Sequence, residues 1–498
     1  MKVSKSISRI FFYTLVVLCA GIISGCAVGT DYKRPEIPDI NTYTVNPVPS
    51  RTEAYPVTLG GSQHFVRSKV DPSWWKVFGS SRLDSLVERA LLSSLTLEAA
   101  RAKLEQAEQT YQAQGGATQY PQVTADAGGS RQRVNTAAFG QSAGSKTFGL
   151  INAGVNVSYS LDLFGGNRRM LESFAAEADY QRYQLETARL LLIANVITTA
   201  ITQAQLAAQI QASEQILSAQ EEQLNITKKR LSLGASSQNE VFSLQATVEQ
   251  SRVNISQLRN SFEQSHHLMA VFVGITPGDS DIPSFVLDDF TLPAQLPVVI
   301  PSELVRQRPD IQASEALLQA ANARYGTAIA KRYPQINLSA DIGSQALTAS
   351  TLFGAGTMVW GVAGQLVQPL FHKGLVAESR AARAGFDEAE ANYRQTVFHA
   401  LQNVADVLRA LEYDASALAA QASANNAAQG ILQLVRQEYN IGAANHLEVL
   451  AAEQQVQLNA LNLVTTQSRR LIDTVALYQA MGGGVLITSK GSVHLKDQ

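Results

Sequence analysis

Apolar residues recur at every seventh position over long stretches of this chain. Ile210, Leu217, Leu224 and Leu231 form one series, and Val397, Val404, Leu411, Leu418, Asn425, Leu432 and Tyr439 form another. Two more follow: Val241, Val248, Ile255, Phe262 and Met269, then Val449, Val456, Leu463, Arg470 and Leu477. A sustained seven-residue period predicts long helices packed along an apolar seam in a left-handed coiled coil. The first long helix is predicted from roughly Leu171 to Leu233, about 95 Å at 1.5 Å per residue. Its Glu172, Glu177, Asp179, Arg182, Glu186 and Arg189 place it in water rather than lipid.

The series are separated by two short stretches, "LSLGASSQNEVFSLQ" and "YNIGAANHLEVLAAE". Gly234 and Gly442 suit the left-handed position that ends a helix. Ser237 and Glu240 have capping-box spacing for the next helix, and Asn445 and Glu448 repeat it. Each stretch therefore predicts the tip of an antiparallel helical hairpin.

A second pattern has period two. "VNVSYSLDL" puts Val155, Val157, Tyr159, Leu161 and Leu163 on one face and Asn156, Ser158, Ser160 and Asp162 on the other. "INLSADI" puts Ile336, Leu338, Ala340 and Ile342 opposite Asn337, Ser339 and Asp341. "VTADA" and "WGVAGQL" are weaker partners, and the hairpin loops would be "RVNTAAFGQSAGSK" and "SQALTASTLFGAG". Strands apolar on one face and polar on the other, about ten residues long, predict a membrane β-barrel. A half-buried sheet on a soluble core is the alternative. Four strands per chain cannot close a barrel, since the smallest have about eight. Closure requires an oligomer.

The patterns occur twice. "QYPQVTADAG" matches "RYPQINLSADIG", and "SLDLFGG" matches "VQPLFHK". One offset relates both tip glycines and both tip glutamates. We read residues 74–282 as one structural repeat and 301–483 as a second. Residues 283–300 form a linker, 26–73 a Pro-, Thr- and Ser-rich extended arm, and 484–498 a polar tail.

Residues 1–25 read as a targeting segment. Lys2, Lys5 and Arg9 precede the apolar "IFFYTLVVLCAGII". "ISGC", ending at Cys26, resembles a bacterial lipobox, which predicts a lipidated cysteine; an ordinary secretory signal is the alternative. Ala27 follows, where an aspartate often marks inner-membrane retention, so the outer membrane is expected. Cys19 lies in the removed segment, so no disulfide framework is possible. Beyond the signal no apolar run of about 20 residues is expected to span a bilayer. Charged residues are 16% and the formal net charge is −2, which gives no reason to expect nucleic acid. No catalytic constellation is visible. His266 and His267 are adjacent and point to different helix faces, unsuited to one metal.

The sequence resembles the TolC-type outer-membrane factors, in particular the OprM- and NodT-like lipoprotein branch. "CAVGTDYKRP", "WWKVF", "LVERAL", "IPSELVRQRPDIQASEALLQAANAR", "QPLFHKG" and "YRQTVFHALQNVADVL" carry the resemblance across nearly all of the mature chain. It implies an α+β membrane protein: a homotrimer with a twelve-stranded barrel continuous with a long periplasmic α-helical coiled-coil barrel. It implies no enzyme and no cofactor beyond lipid, such as palmitate, on Cys26. The implied role is the exit duct of a tripartite efflux pump, with a periplasmic adaptor, an inner-membrane transporter most often of the RND type, and outer-membrane lipids as partners. An outer-membrane component of type I protein secretion, or a periplasmic spacer lipoprotein without a pore, are the alternatives.

The family's tip motif falls on Gly234 with Glu240 and on Gly442 with Glu448. Each glutamate reads as a helix cap, worth about 0.5–2 kcal/mol with its partner, and also as part of an acidic ring at the pore mouth. Tyr439 falls on a position the resemblance places in a closed-state network. Two charged family positions fall on Ala444 and Ala451, so that form of charged lock is not expected here. Lys228, Lys229 and Arg230, one turn above Gly234, read as a solvated basic patch, with positive partners for a closed mouth as the alternative.

Overall fold

The computed structural model describes residues 28–36, 42–53, 60–135, 144–278 and 281–484. Cys26, the signal segment and all but the first residue of the polar tail lie outside the described residues.

In chain order, a short strand β1 (His64–Val66) precedes a 3-10 turn over Trp74–Phe78. Helices α1 (Ser81–Ser93) and α2 (Leu95–Gln119) lead into strands β2 (Gln122–Asn135) and β3 (Ser145–Leu161). The hairpin of α3 (Gly166–Ser232) and α4 (Gln238–Val273) completes the first repeat. After β4 (Gln295–Pro297) the order returns: α5 (Pro301–Gln307), α6 (Pro309–Ala330), β5 (Gln335–Ala346), β6 (Met358–Val367), α7 (Lys373–Asn440) and α8 (His446–Ala480).

The predicted linker is more than a loop. Its β4 pairs in parallel with β1 of the arm, through His64 and Gln295 to Val66 and Pro297. Each leading helix is broken once. Ser94 is extended between α1 and α2, and Pro309 restarts the chain as α6. Proline suits the first helical position because its missing N–H is not needed there.

The long helices start earlier than their heptads suggested. α3 has 67 residues and α7 has 68, about 100 Å each. The predicted seam is buried at Leu224, Val241, Val248, Ile255 and Met269, and again at Val397, Val404, Leu411, Leu418 and Val449. Charge keeps most of α3 in water, but its middle is apolar enough to pass as a membrane span. That corrects the expectation that no such run exists past the signal. Leu192, Ile193, Val196, Ile197 and Ile201 are instead buried in the main core. There Trp74 stacks on Tyr478 at 5.1 Å, and Phe285 packs on Phe290. The core draws on both repeats, so the two are one packed unit. Truncating a fully buried aromatic such as Trp74 to alanine costs about 3–5 kcal/mol.

The four longer strands form one antiparallel sheet in the order β2-β3-β5-β6. The predicted alternation is preserved across it. Val123, Val157, Ala340 and Val362 lie in one row, and Gln122, Ser158, Ser339 and Ala363 in the next. Asn156 faces Asp341 on the polar side. The strands run further than the sequence suggested: Arg133 to Asn135 and Ser145 to Lys146 pair as strand, not loop. Residues 136–143 of that loop lie outside the described residues. At the other end β3 stops at Leu161, so Asp162 and Leu163 are not strand residues. The Asp162 carboxylate instead accepts the Arg168 N–H, at 2.8 Å, in the first turn of α3.

Candidate functional site

Two places in this fold are built for more than packing: the sheet and the hairpin tips. Among the described residues nothing covers the apolar face of the sheet. Trp360 is 70% exposed and Val362 77%. The outer strands, β2 with 14 residues and β6 with 10, each leave one edge unpaired among the described residues. Long apolar edges in water invite association.

The first residues of the arm are pinned where strands become helices. Val28 N–H donates to Phe164 O at 3.0 Å. Arg169, almost fully buried, donates to Asp31 at 2.6 Å and to Glu172 at 2.7 Å. Arg34 grips Glu315 with two nitrogens, and Tyr32 Oη donates to the same carboxylate at 3.2 Å. Cys26 itself lies outside the described residues.

At the far ends of the long helices, the two tips share one backbone design. Gly234 has φ +75° and Gly442 φ +79°. Ala235 N–H bonds to Arg230 O at 2.8 Å, and Gly234 N–H to Leu231 O at 2.9 Å. In the second tip Ala443 N–H bonds to Glu438 O at 2.8 Å, and Gly442 N–H to Tyr439 O at 3.1 Å. This pair of bonds is the Schellman closure, which needs a residue with positive φ. A Cβ at either glycine would meet nothing within 4 Å, so the dihedral alone demands glycine. The next helix starts alike in both: Ser237 Oγ accepts Glu240 N–H at 3.2 Å, and Asn445 Oδ1 accepts Glu448 N–H at 3.1 Å.

The glutamate side chains then part company. In neither tip does the carboxylate complete a capping box. Glu448 is exposed and accepts only from Asn445 Nδ2, at 2.5 Å, among the described residues. Glu240 crosses to the other hairpin. Its Oε1 accepts from Tyr439 Oη at 3.3 Å, and its Oε2 accepts from Ser236 Oγ at 2.6 Å. Arg230 donates to Tyr439 Oη at 2.5 Å and lies 5.2 Å from the ring centre, within cation–π range. Arg230 is thus a network member, which fits the positive-partner reading of its cluster and not the solvated patch. His446 Nδ1 stands 3.5 Å from Glu240 Oε1, and its ring lies 6.0 Å from that of Tyr439.

Burial alone would raise the Glu240 carboxyl. The Ser236 hydroxyl, His446, Tyr439 and Arg230 together outweigh it and hold the group below its ordinary value. Burial and then the Glu240 charge push the Tyr439 phenol up. Tyr439 therefore acts here as a neutral donor.

Of the five predicted tip residues, the structure brings Glu240 and Tyr439 together and leaves Glu448 apart. Gly234 and Gly442 each sit at the predicted turn. Ser236 and His446 were missed. The signal for them was a break in the repeat: their counterparts in the other copy are Ala444 and Gln238. No group of three or more metal-binding side chains occurs among the described residues.

The family model described as outer membrane efflux protein matches twice, over residues 86–271 and 300–483. The toluene efflux pump outer membrane protein TtgC of Pseudomonas putida is 30% identical over 472 residues, covering 94% of this chain and 95% of that protein. The cation efflux system protein CusC of Escherichia coli K12 is 27% identical over 479 residues, covering 94% and 99%. The solved outer-membrane channel OprN superposes with a TM-score of 0.82 at 25% identity, covering 92% of this chain and 99% of that one.

Proposed function

The chain belongs to the outer membrane efflux protein family, and on that premise we propose how its parts work. It serves in the outer membrane as the exit duct of an efflux pump. The observation that carries the arrangement is the open four-stranded sheet, apolar on one face and polar on the other, directly continuous with helices about 100 Å long. Three copies pairing β6 of one with β2 of the next would supply twelve strands and remove every edge. The apolar faces then meet lipid and the polar rows line water. The helices continue the tube into the periplasm, and their charged surfaces suit that solvent.

Cys26 would carry lipid, with palmitate as one chain. Val28 is held at the strand–helix junction, and two residues reach only about 7 Å. That keeps the modified cysteine near the level of the bilayer surface.

The tips form the periplasmic mouth. Leu233 and Ile441, each just before its glycine, are 82% and 81% exposed. They offer an adaptor one apolar contact on every hairpin, and the adaptor links the duct to an inner-membrane transporter, of RND type. Glu240 and Tyr439 tie the two hairpins of one chain and hold the mouth closed; Glu448 contributes the free negative charge there. No chemical step is needed, because the duct is passive. Small polar residues along the lumen give little discrimination, so cargo is chosen upstream.

The test is direct. The purified lipidated protein should run as a heat-modifiable oligomer, give β-rich spectra in detergent and conduct ions in planar bilayers. A soluble monomer without affinity for bilayers would contradict the arrangement.

A further inference from the structure

The clasp between the hairpins contains one group that its duct role does not explain. His446 is the first residue of α8 and its side chain is 8% exposed. Neither ring nitrogen has a hydrogen-bond partner among the described residues. A buried imidazole without partners loses the hydrogen bonds that water would give it. Glu240 Oε1 lies 3.5 Å from Nδ1. That contact is too long for a good hydrogen bond, yet within reach of an ion pair that protonation would tighten.

Charged and titratable groups meet here from all four helices of the tips. Arg230 comes from α3, Glu240 from α4, Tyr439 from α7, and His446 with Glu448 from α8. Arg230 is engaged by Tyr439, and Glu448 is turned to Asn445. Glu240 is therefore the carboxylate in contact with the imidazole.

We propose that His446 is a proton-operated positioning residue of the clasp. Imidazole is the side chain that ordinarily changes charge in mildly acidic water. Protonated His446 would donate from Nδ1 to Glu240 Oε1 as a charge-assisted bond, which is stronger and shorter than a neutral one. The carboxylate would then be held by Ser236, Tyr439 and His446 at once, and the two hairpins drawn together. When the proton leaves, only the neutral donors remain. The consequence for conduction rests on the reading of the tips as the closed mouth of the duct; the clasp itself does not.

Two measurements on the full-length oligomer separate these. Spin labels at Ala235→Cys and Ala443→Cys, both exposed positions, report the distance between the tips of one chain. Planar-bilayer recordings report conductance. Between pH 7.5 and 5.5 Glu240, held below its ordinary value, stays ionised. Over that interval the tip distances should shorten and narrow, and mean conductance should fall about threefold. His446→Gln, which installs the residue found at the equivalent place in the first tip, should abolish both changes. Glu240→Gln should abolish them too, while the heat-stable oligomer band shows that both variants assemble. Tip distances that tighten in acid equally with and without His446 would overturn the proposal, as would distances that do not respond to pH. Distances that respond through His446 while conductance stays flat would support the clasp and count against the tips as the gate.

Discussion

The two hairpin tips have nearly the same backbone and different side-chain contacts. Both close with a Schellman turn on a glycine, and both start the return helix with a side-chain cap. Around that shared frame four of the differing positions surround the glutamates' partners: Arg230 against Glu438, Leu231 against Tyr439, Ser236 against Ala444, and Gln238 against His446. Each difference removes a partner from Glu448 or gives one to Glu240. The backbone is what the proposed adaptor would meet on every hairpin. The side chains decide where hairpins hold each other.

The same contrast returns midway along the helices. Where the first repeat has Leu206, Phe262 and Ser265, the second has Asp414, Arg470 and Asp473. Arg470 is almost fully buried and donates to Gly61 O at 2.9 Å and Gln63 Oε1 at 3.3 Å, tying the arm to α8. Gln63 in turn donates to Thr474 Oγ1 at 3.1 Å. Burial, reinforced by a shared hydrogen bond with Asp473, pushes the Asp414 carboxyl up to about 8. The first repeat keeps an apolar seam, and the second gives up part of its own to hold the arm.

Breaking the shared frame should have the largest effect. Gly234→Pro or Gly442→Pro forces φ near −65° where about +75° is required. Adaptor-dependent export should fall at least about tenfold for each, at a local cost on the order of 3 kcal/mol, with β content and bilayer insertion unchanged. Export at the normal level from either variant would separate the tips from docking.

Making the tips alike should have a smaller effect. Leu231→Tyr gives the first hairpin the hydroxyl that the second already has. The substitution asks whether Glu448 has the first hairpin of an adjacent copy within reach. One added hydrogen bond is worth about 1 kcal/mol, so leak conductance should drop about fivefold. An unchanged leak would mean that Glu448 has no hairpin within reach.

The mid-helix contrast predicts a pH effect of known sign. The folded protein holds the Asp414 proton more tightly than the unfolded chain does. Its contribution to stability is complete below pH of about 4 and is lost as pH rises toward about 8. Thermal melts of the protein should weaken over that interval, and those of Asp414→Asn should weaken less. Parallel curves would show that the carboxyl is not held protonated.

Much of this was legible in the sequence because it rests on periodicity. Seven-residue spacing gave the hairpins, and alternation gave the sheet faces, since both follow from which side of an element is wet. The family resemblance, not periodicity, gave Tyr439 as a special position. His446 and Ser236 escaped because each is one residue beside a motif, and only the packing of one hairpin on the other makes them neighbours of Glu240. The apolar middle of α3 escaped for the opposite reason: charges at its start argued for water, and the core that covers Ile197 and Ile201 is assembled from distant segments. Strand ends escaped because Asp162 alternates correctly yet serves to start a helix.

The account turns on the inequality of Glu240 and Glu448, and planar-bilayer recordings of Glu240→Gln and Glu448→Gln test it most directly. Glu240→Gln should raise open probability about tenfold, the loss of roughly 1.4 kcal/mol, with ion selectivity little changed. Glu448→Gln should leave opening alone and reduce preference for cations. Equal effects of the two substitutions, or no conductance from either, would contradict it.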